Sequence, residues 1–247
     1  MLDRSTAVLD AHPDKPLLYS SPLILARRRR LLREARHMIA EDGVDKFSVR
    51  KLCLRAEVAQ RTLYNAFRNK DRVIALAIRE AYDEFNEHVH YKTDRNTLFG
   101  VLDRTMSINR RNFRVRNYTK AVVTIYFGAN TPRDVWETLQ DMSLGRISEW
   151  LSVVKAEGQL LPWVNERRFA DAMANIQYAT INDWCMERLS DREYLPRLME
   201  NMLLLIVGSV QGEVRAEAEA YLEDLKRTGD VPNFPAAIYS PPRYEDD

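Results

Sequence analysis

At 247 residues the chain can bury one sizeable core or two modest ones, and its net charge of +1 is by itself silent on nucleic acid. Two cysteines, Cys53 and Cys185, exclude a disulfide framework or a zinc ribbon and fit a reducing cytoplasm. The longest apolar run, Met202–Val210, is interrupted by Gly208 and Ser209 and is too short to span a bilayer, so no membrane association is expected.

Residues 1–23 carry Pro13, Pro16 and Pro22 among scattered charges, lack the apolar segment of a secretory signal, and read as a flexible arm. A helix follows from about Ile24, with Leu31, Leu32, Ala35, Met38 and Ile39 inward and Gly43 as its stop. Val49, Leu52, Cys53 and Ala56 then fall at i, i+3, i+4 and i+7, one face of a short helix that Ser48 is placed to cap. After a break at Glu57-Val58, Ala59, Leu63 and Phe67 recur every fourth residue and should pack inward. Gln60, Arg61, Thr62, Tyr64 and Asn65 are left facing outward. Gln, Arg and Asn can pair with base edges in the major groove, while Thr and Tyr suit phosphates and thymine methyls. The pattern is a helix-turn-helix with Ala59–Phe67 as recognition helix. Charge agrees: residues 24–72 hold fourteen Lys/Arg against six Asp/Glu, a net of +8 that leaves −7 on the remainder.

The same residues resemble the tetracycline-repressor (TetR) family of bacterial regulators. The resemblance covers about Ile24 to Arg72 and rests on IAEDG (Ile39–Gly43), FSVRKL (Phe47–Leu52) and TLYNAF-RNKD (Thr62–Asp71). Glu57 stands where the family usually has its turn glycine, Ala59 replaces a common serine cap, and Ala66 replaces a common His or Tyr. The resemblance implies that Gln60, Arg61, Thr62 and Asn65 meet the major groove, with Arg61 as guanine reader. It also implies that Tyr64 and Lys70 grip phosphates with help from Ser48 and Arg50. Arg27–Arg30 could reach the backbone or an adjacent minor groove.

Asn69 is a good N-cap for the next helix, whose buried line is Val73, Ala77, Ala81 and Phe85 and which should end near His88. Further helices are expected at Thr97–Asn112, Val115–Phe127, Pro132–Glu157, Glu166–Leu189 and Tyr194–Lys226, with Pro132 and Pro196 in first turns. No stretch alternates with period two, so a sheet is not expected. Gly208 and Gly212 would permit close helix approach within the last of these helices. Asp230–Asp247 reads as a Pro-rich tail without its own core. The fold class is therefore all-α: a three-helix head (residues 24–72), a helical effector-binding and dimerisation body (73–228), and a tail (229–247).

By resemblance, the body should form a homodimer through its last helices, bind a near-palindromic double-stranded operator, and release it when a small-molecule effector occupies an internal pocket. Met106, Phe113, Tyr126, Trp150 and Tyr178 are the candidate lining, with Tyr118, Trp136, Trp163 and Trp184 as further aromatics and Asn109, Gln177 and Asn182 as polar handles. An apolar or aromatic effector suits such a lining. No cofactor or metal is expected, since eight dispersed glycines form no phosphate loop and His88 and His90 lie two apart. A metabolite-binding enzyme or structural adaptor is the alternative, and it leaves the basic recognition helix without a purpose.

Overall fold

Short polar caps decide where the helices begin. In the computed structural model, which describes residues 22–145 and 147–240, Ser48, Asn69, Thr97, Asn165 and Ser190 each accept a backbone N–H three residues ahead. Ser190 and Glu193 complete a reciprocal capping box. The order is α1 (Pro22–Asp42), α2 (Val49–Arg55), α3 (Gln60–Phe67), α4 (Lys70–His88), β1 (Val89–His90), α5 (Leu98–Asn112), α6 (Arg116–Tyr126) and α7 (Arg133–Leu144). After these come α8 (Ser148–Ala156), α9 (Glu166–Cys185), α10 (Asp191–Val207), α11 (Gly212–Thr228) and β2 (Ile238–Tyr239). The fold is all-α, as expected. The expected N-terminal arm, apart from the start of α1, lies outside the described residues, as do residues 241–247.

The head closes on Leu31, Leu32, Ala35, Met38 and Ile39 from α1, Leu52 and Cys53 from α2, and Leu63 and Phe67 from α3, all buried. Gly43 ends α1 with φ +74, its N–H bonded to the Ile39 carbonyl. This core continues without interruption into α4, α6, α7 and α9 through Val73, Ile74, Ala77, Ile78, Ala121, Leu139, Tyr178 and Ile181. A second core joins α5, α8, α9, α10 and α11, and Phe234 from the C-terminal segment is buried within it.

Four sequence expectations are corrected. Pro132–Glu157 is two helices, α7 ending at its C-cap Gly145 and α8 opening after its N-cap Ile147. Tyr194–Lys226 is also two: Gly208 caps α10, and Gly212 opens α11 at φ +66, a backbone that side chains resist, so the glycines make a corner rather than a contact stripe. Pro132 is the N-cap of α7, and Pro196 lies inside α10 rather than in its first turn. Finally, β1 and β2 pair antiparallel, Val89 with Tyr239 and His90 with Ile238. Two residues per strand are too few to show alternation in sequence.

Candidate DNA-binding face and effector cavity

The turn between α2 and α3 depends on Glu57, which adopts φ +53 where glycine is the unstrained choice. Its carboxylate lies 3.3 Å from the Arg30 guanidinium, which offsets the negative charge this position would otherwise present. Ala59 is exposed and serves as the N-cap of α3; the expected inward contact at this end is made by Val58, packed against the core. Leu63 and Phe67 are fully buried and fix the rotation of α3.

That rotation leaves Gln60, Arg61, Tyr64 and Asn65 exposed and Thr62 half-buried. Among the described residues, none of these five side chains makes a hydrogen bond or ion pair within the chain. Several other head cations are paired within the chain. Arg36 pairs with Glu84 at 2.7 Å, Arg55 with Glu34 at 3.1 Å and Glu41 at 2.7 Å, Lys51 with Asp42 at 2.5 Å, and Arg72 with Asp134. Arg50 is exposed and has no ion pair among the described residues, the Lys70 ammonium lies 5.8 Å from the Phe47 ring centre, and the Ser48 hydroxyl accepts the Lys51 N–H. The result is a row of free polar groups on a short helix, flanked by positive charge, with no internal work to do.

Behind the head lies a cavity of about 360 Å³. Its walls come from α1 (Arg36, His37, Ala40), α4 (Ile78 to Phe85), α5 (Ile108, Arg111, Asn112) and the start of α6 (Val115 to Val122). Met142 of α7, Gln177 to Ile181 of α9, and Tyr239 of β2 complete it. Tyr239 stacks on Phe85 with ring centres 5.7 Å apart, so the C-terminal strand closes one side. The cavity therefore touches both a helix of the head and the helix that joins head to body.

Residues 31–77 match the model for bacterial regulatory proteins of the tetR family. The head, residues 31–77, is therefore a DNA-binding domain of the kind found in tetR-family regulators. No curated protein sequence matches it. Solved structures share the fold at low identity. RolR in complex with resorcinol is 16% identical, with 86% of this chain and 98% of that chain covered at a TM-score of 0.60. FadR from Thermus thermophilus in complex with lauroyl-CoA is 16% identical, with 75% and 96% covered at 0.58. TylP from Streptomyces fradiae is 16% identical, with 81% and 97% covered at 0.53.

In this fold the residues singled out from sequence separate into two groups. Ser48, Arg50, Gln60, Arg61, Thr62, Tyr64, Asn65 and Lys70 all lie on α2, α3 and the first turn of α4 or its approach. Of the five body residues, only Tyr178 lines the cavity. Met106 and Trp150 are fully buried in the second core, and Phe113 packs edge-on against Trp184 and Tyr194. Tyr126 lies 4.1 Å from Tyr178 between ring centres, with its hydroxyl bonded to the side-chain amides of Gln140 and Asn175; burial pushes its pKa up to about 12. Asn109 is taken up by an internal network, accepting from the Tyr194 hydroxyl at 2.6 Å and the Asn112 amide at 3.0 Å. Trp163 is exposed.

Sequence reasoning missed Arg36, Arg111 and Tyr239 as cavity residues. Arg111 sits three residues after Ile108, on the same inner line of α5, and an arginine on an apolar line is the one signal that pointed to it.

Proposed function

We propose that the protein is a homodimeric repressor, acting in the cytoplasm, that holds a near-palindromic operator and leaves it when a small-molecule effector enters the body. The observation that carries the DNA half is the row of unpartnered side chains on α3. In this reading Arg61 reads guanine, Gln60 or Asn65 reads adenine, Thr62 meets the groove, and Ser48, Arg50, Tyr64 and Lys70 hold phosphates. Two-fold pairing through α10 and α11, where Leu204 is exposed, would set the two recognition helices roughly 34–36 Å apart, one duplex turn. The cavity supports the effector half, because filling it changes the seat of α4, to which α3 is joined through Arg68 and Asn69. RolR and FadR, which share the fold, were solved with resorcinol and lauroyl-CoA, and both ligands offer apolar surface. An effector acts only to the extent that it prefers the DNA-incompetent seat.

The test is retardation of a duplex taken from beside the protein's own gene, at several salt concentrations, with light scattering to give the oligomeric state. Specific, salt-dependent binding by a dimer is expected. Equal affinity for this duplex and for random DNA, or a monomer at working concentration, would overturn the reading.

A further inference from the structure

One cation in the cavity has no direct ion pair among the described residues, and the carboxylate whose charge it feels, Glu84, is itself bonded to Arg36. Arg111 is half-buried, with its guanidinium 4.3 Å from the ring centre of Phe85. Among the described residues no carboxylate lies within ion-pair distance of it, and it donates no hydrogen bond. Its neighbour Arg110 is exposed, and Arg36 on the facing wall has Glu84 at 2.7 Å. Tyr118 lines the same space, and its hydroxyl has no hydrogen-bond partner among the described residues. Burial holds that hydroxyl protonated, well above its ordinary pKa, so it is available as a donor.

Shielding a guanidinium from water without a partner is unfavourable, and sequences accept such local costs mainly where a ligand offsets them. The rest of the lining is largely apolar: Ile78, Ala81, Phe85, Ile108, Val122 and Ile181. One planar guanidinium and one hydroxyl match the two oxygens of a carboxylate. A phosphate, with three oxygens and nearly twice the charge, would leave acceptors unmet here.

We propose that the effector is an amphipathic acid, a carboxylate on an aliphatic or aromatic body, whose charged head is received by Arg111 with Tyr118 as second donor. This rests on the regulator reading and adds the chemical class of its ligand. It also assigns Arg111 a role that packing alone does not supply, since a methionine would fill the same space against Phe85 without the charge.

The experiment uses the full chain and four probes: dodecanoate and 1-naphthoate, each against its neutral amide, titrated by calorimetry. In the native protein at least one acid binds tenfold or more tighter than its amide. R111M abolishes that preference and melts at or above the native temperature when ligand-free, because it removes an unpaired buried charge. Y118F, which keeps the ring, weakens the acid severalfold and leaves the amide unchanged. The proposal is overturned if no acid outbinds its amide, if R111M keeps the preference, or if Y118F treats acid and amide alike. Should R111M not fold, the Y118F comparison decides alone. DNA retardation by the ligand-free protein is scored separately: intact retardation without acid preference sinks only the anion site, whereas absent retardation sinks the regulator reading.

Discussion

The recognition helix and the cavity both hold donors that nothing among the described residues satisfies, and they differ in what water does for them. On α3 the free groups of Gln60, Arg61 and Asn65 are exposed, so solvent satisfies them and the fold loses nothing by keeping them idle. Arg111 is half-buried over Phe85, where water is scarce and the same idleness is unfavourable. The head can therefore change its DNA preference with little effect on stability. In the cavity the proposed ligand role is bound up with stability, and substitutions there should move binding and melting in opposite directions.

The sharpest break in this contrast comes from the layer beneath the recognition face. Phe67→Ala removes a fully buried ring and should cost about 3–5 kcal/mol in urea unfolding. Because the head core runs on into α4, α6 and α9, the loss should appear as one shifted transition. Two separate transitions would show that the head unfolds apart from the body.

Next in size is the face itself. Arg61→Ala should weaken the operator by on the order of 1–3 kcal/mol, relax one position per half-site, and leave the melting temperature unchanged. Lys70→Ala is its control, weakening all sequences alike and reducing the salt slope by about one per protomer. Equal losses on operator and random DNA for Arg61→Ala would remove its reading role.

Smaller again is Ser48→Ala. The Ser48 hydroxyl already accepts the Lys51 N–H, so its loss should cost the head ~1 kcal/mol of stability whether or not DNA is bound. A loss confined to DNA affinity would show that the hydroxyl serves phosphate rather than the helix.

The smallest effect is on the clasp between α1 and α2. The Arg55 guanidinium holds the Glu41 carboxyl below its ordinary pKa, and the Lys51 ammonium does the same for Asp42. Carboxyls depressed by folding add stability that is complete above their ordinary values, about 4, and is lost as pH falls through the lower folded values. Thermal melts should therefore be level from neutrality down to about pH 4–5 and decline below that. With the Glu41 pair broken by Arg55→Ala and the Lys51–Asp42 pair left in place, the acid decline should become shallower.

The head was legible because a few neighbouring residues determine it. The spacing of Leu52, Cys53 and Ala56, then Leu63 and Phe67, sets two helices and their facing sides, and Asn69 starts the next helix where its type predicts. Only Ala59 was misplaced, because a four-residue recurrence extends past a helix start that φ and ψ decide. The body was legible as helices but not as a chamber. Its walls come from α1, α4, α5, α6, α7, α9 and β2, and no local pattern records which half-buried positions converge. Aromatic content pointed to Trp150 and Met106, which proved to be packed solid within the second core. The Gly208–Gly212 corner was hidden for a related reason, since glycine spacing alone cannot distinguish a close contact from a bend.

The chamber's last wall also sets an order of events during synthesis. Tyr239 follows every described helix, and it reaches back to stack on Phe85 while the Ser240 N–H donates to the His88 carbonyl. A growing polypeptide forms its N-terminal units first. The three-helix head is thus translated in full while the cavity is still open on one side, and under the proposed mechanism a nascent molecule would grip DNA before it is able to hear the signal to let go.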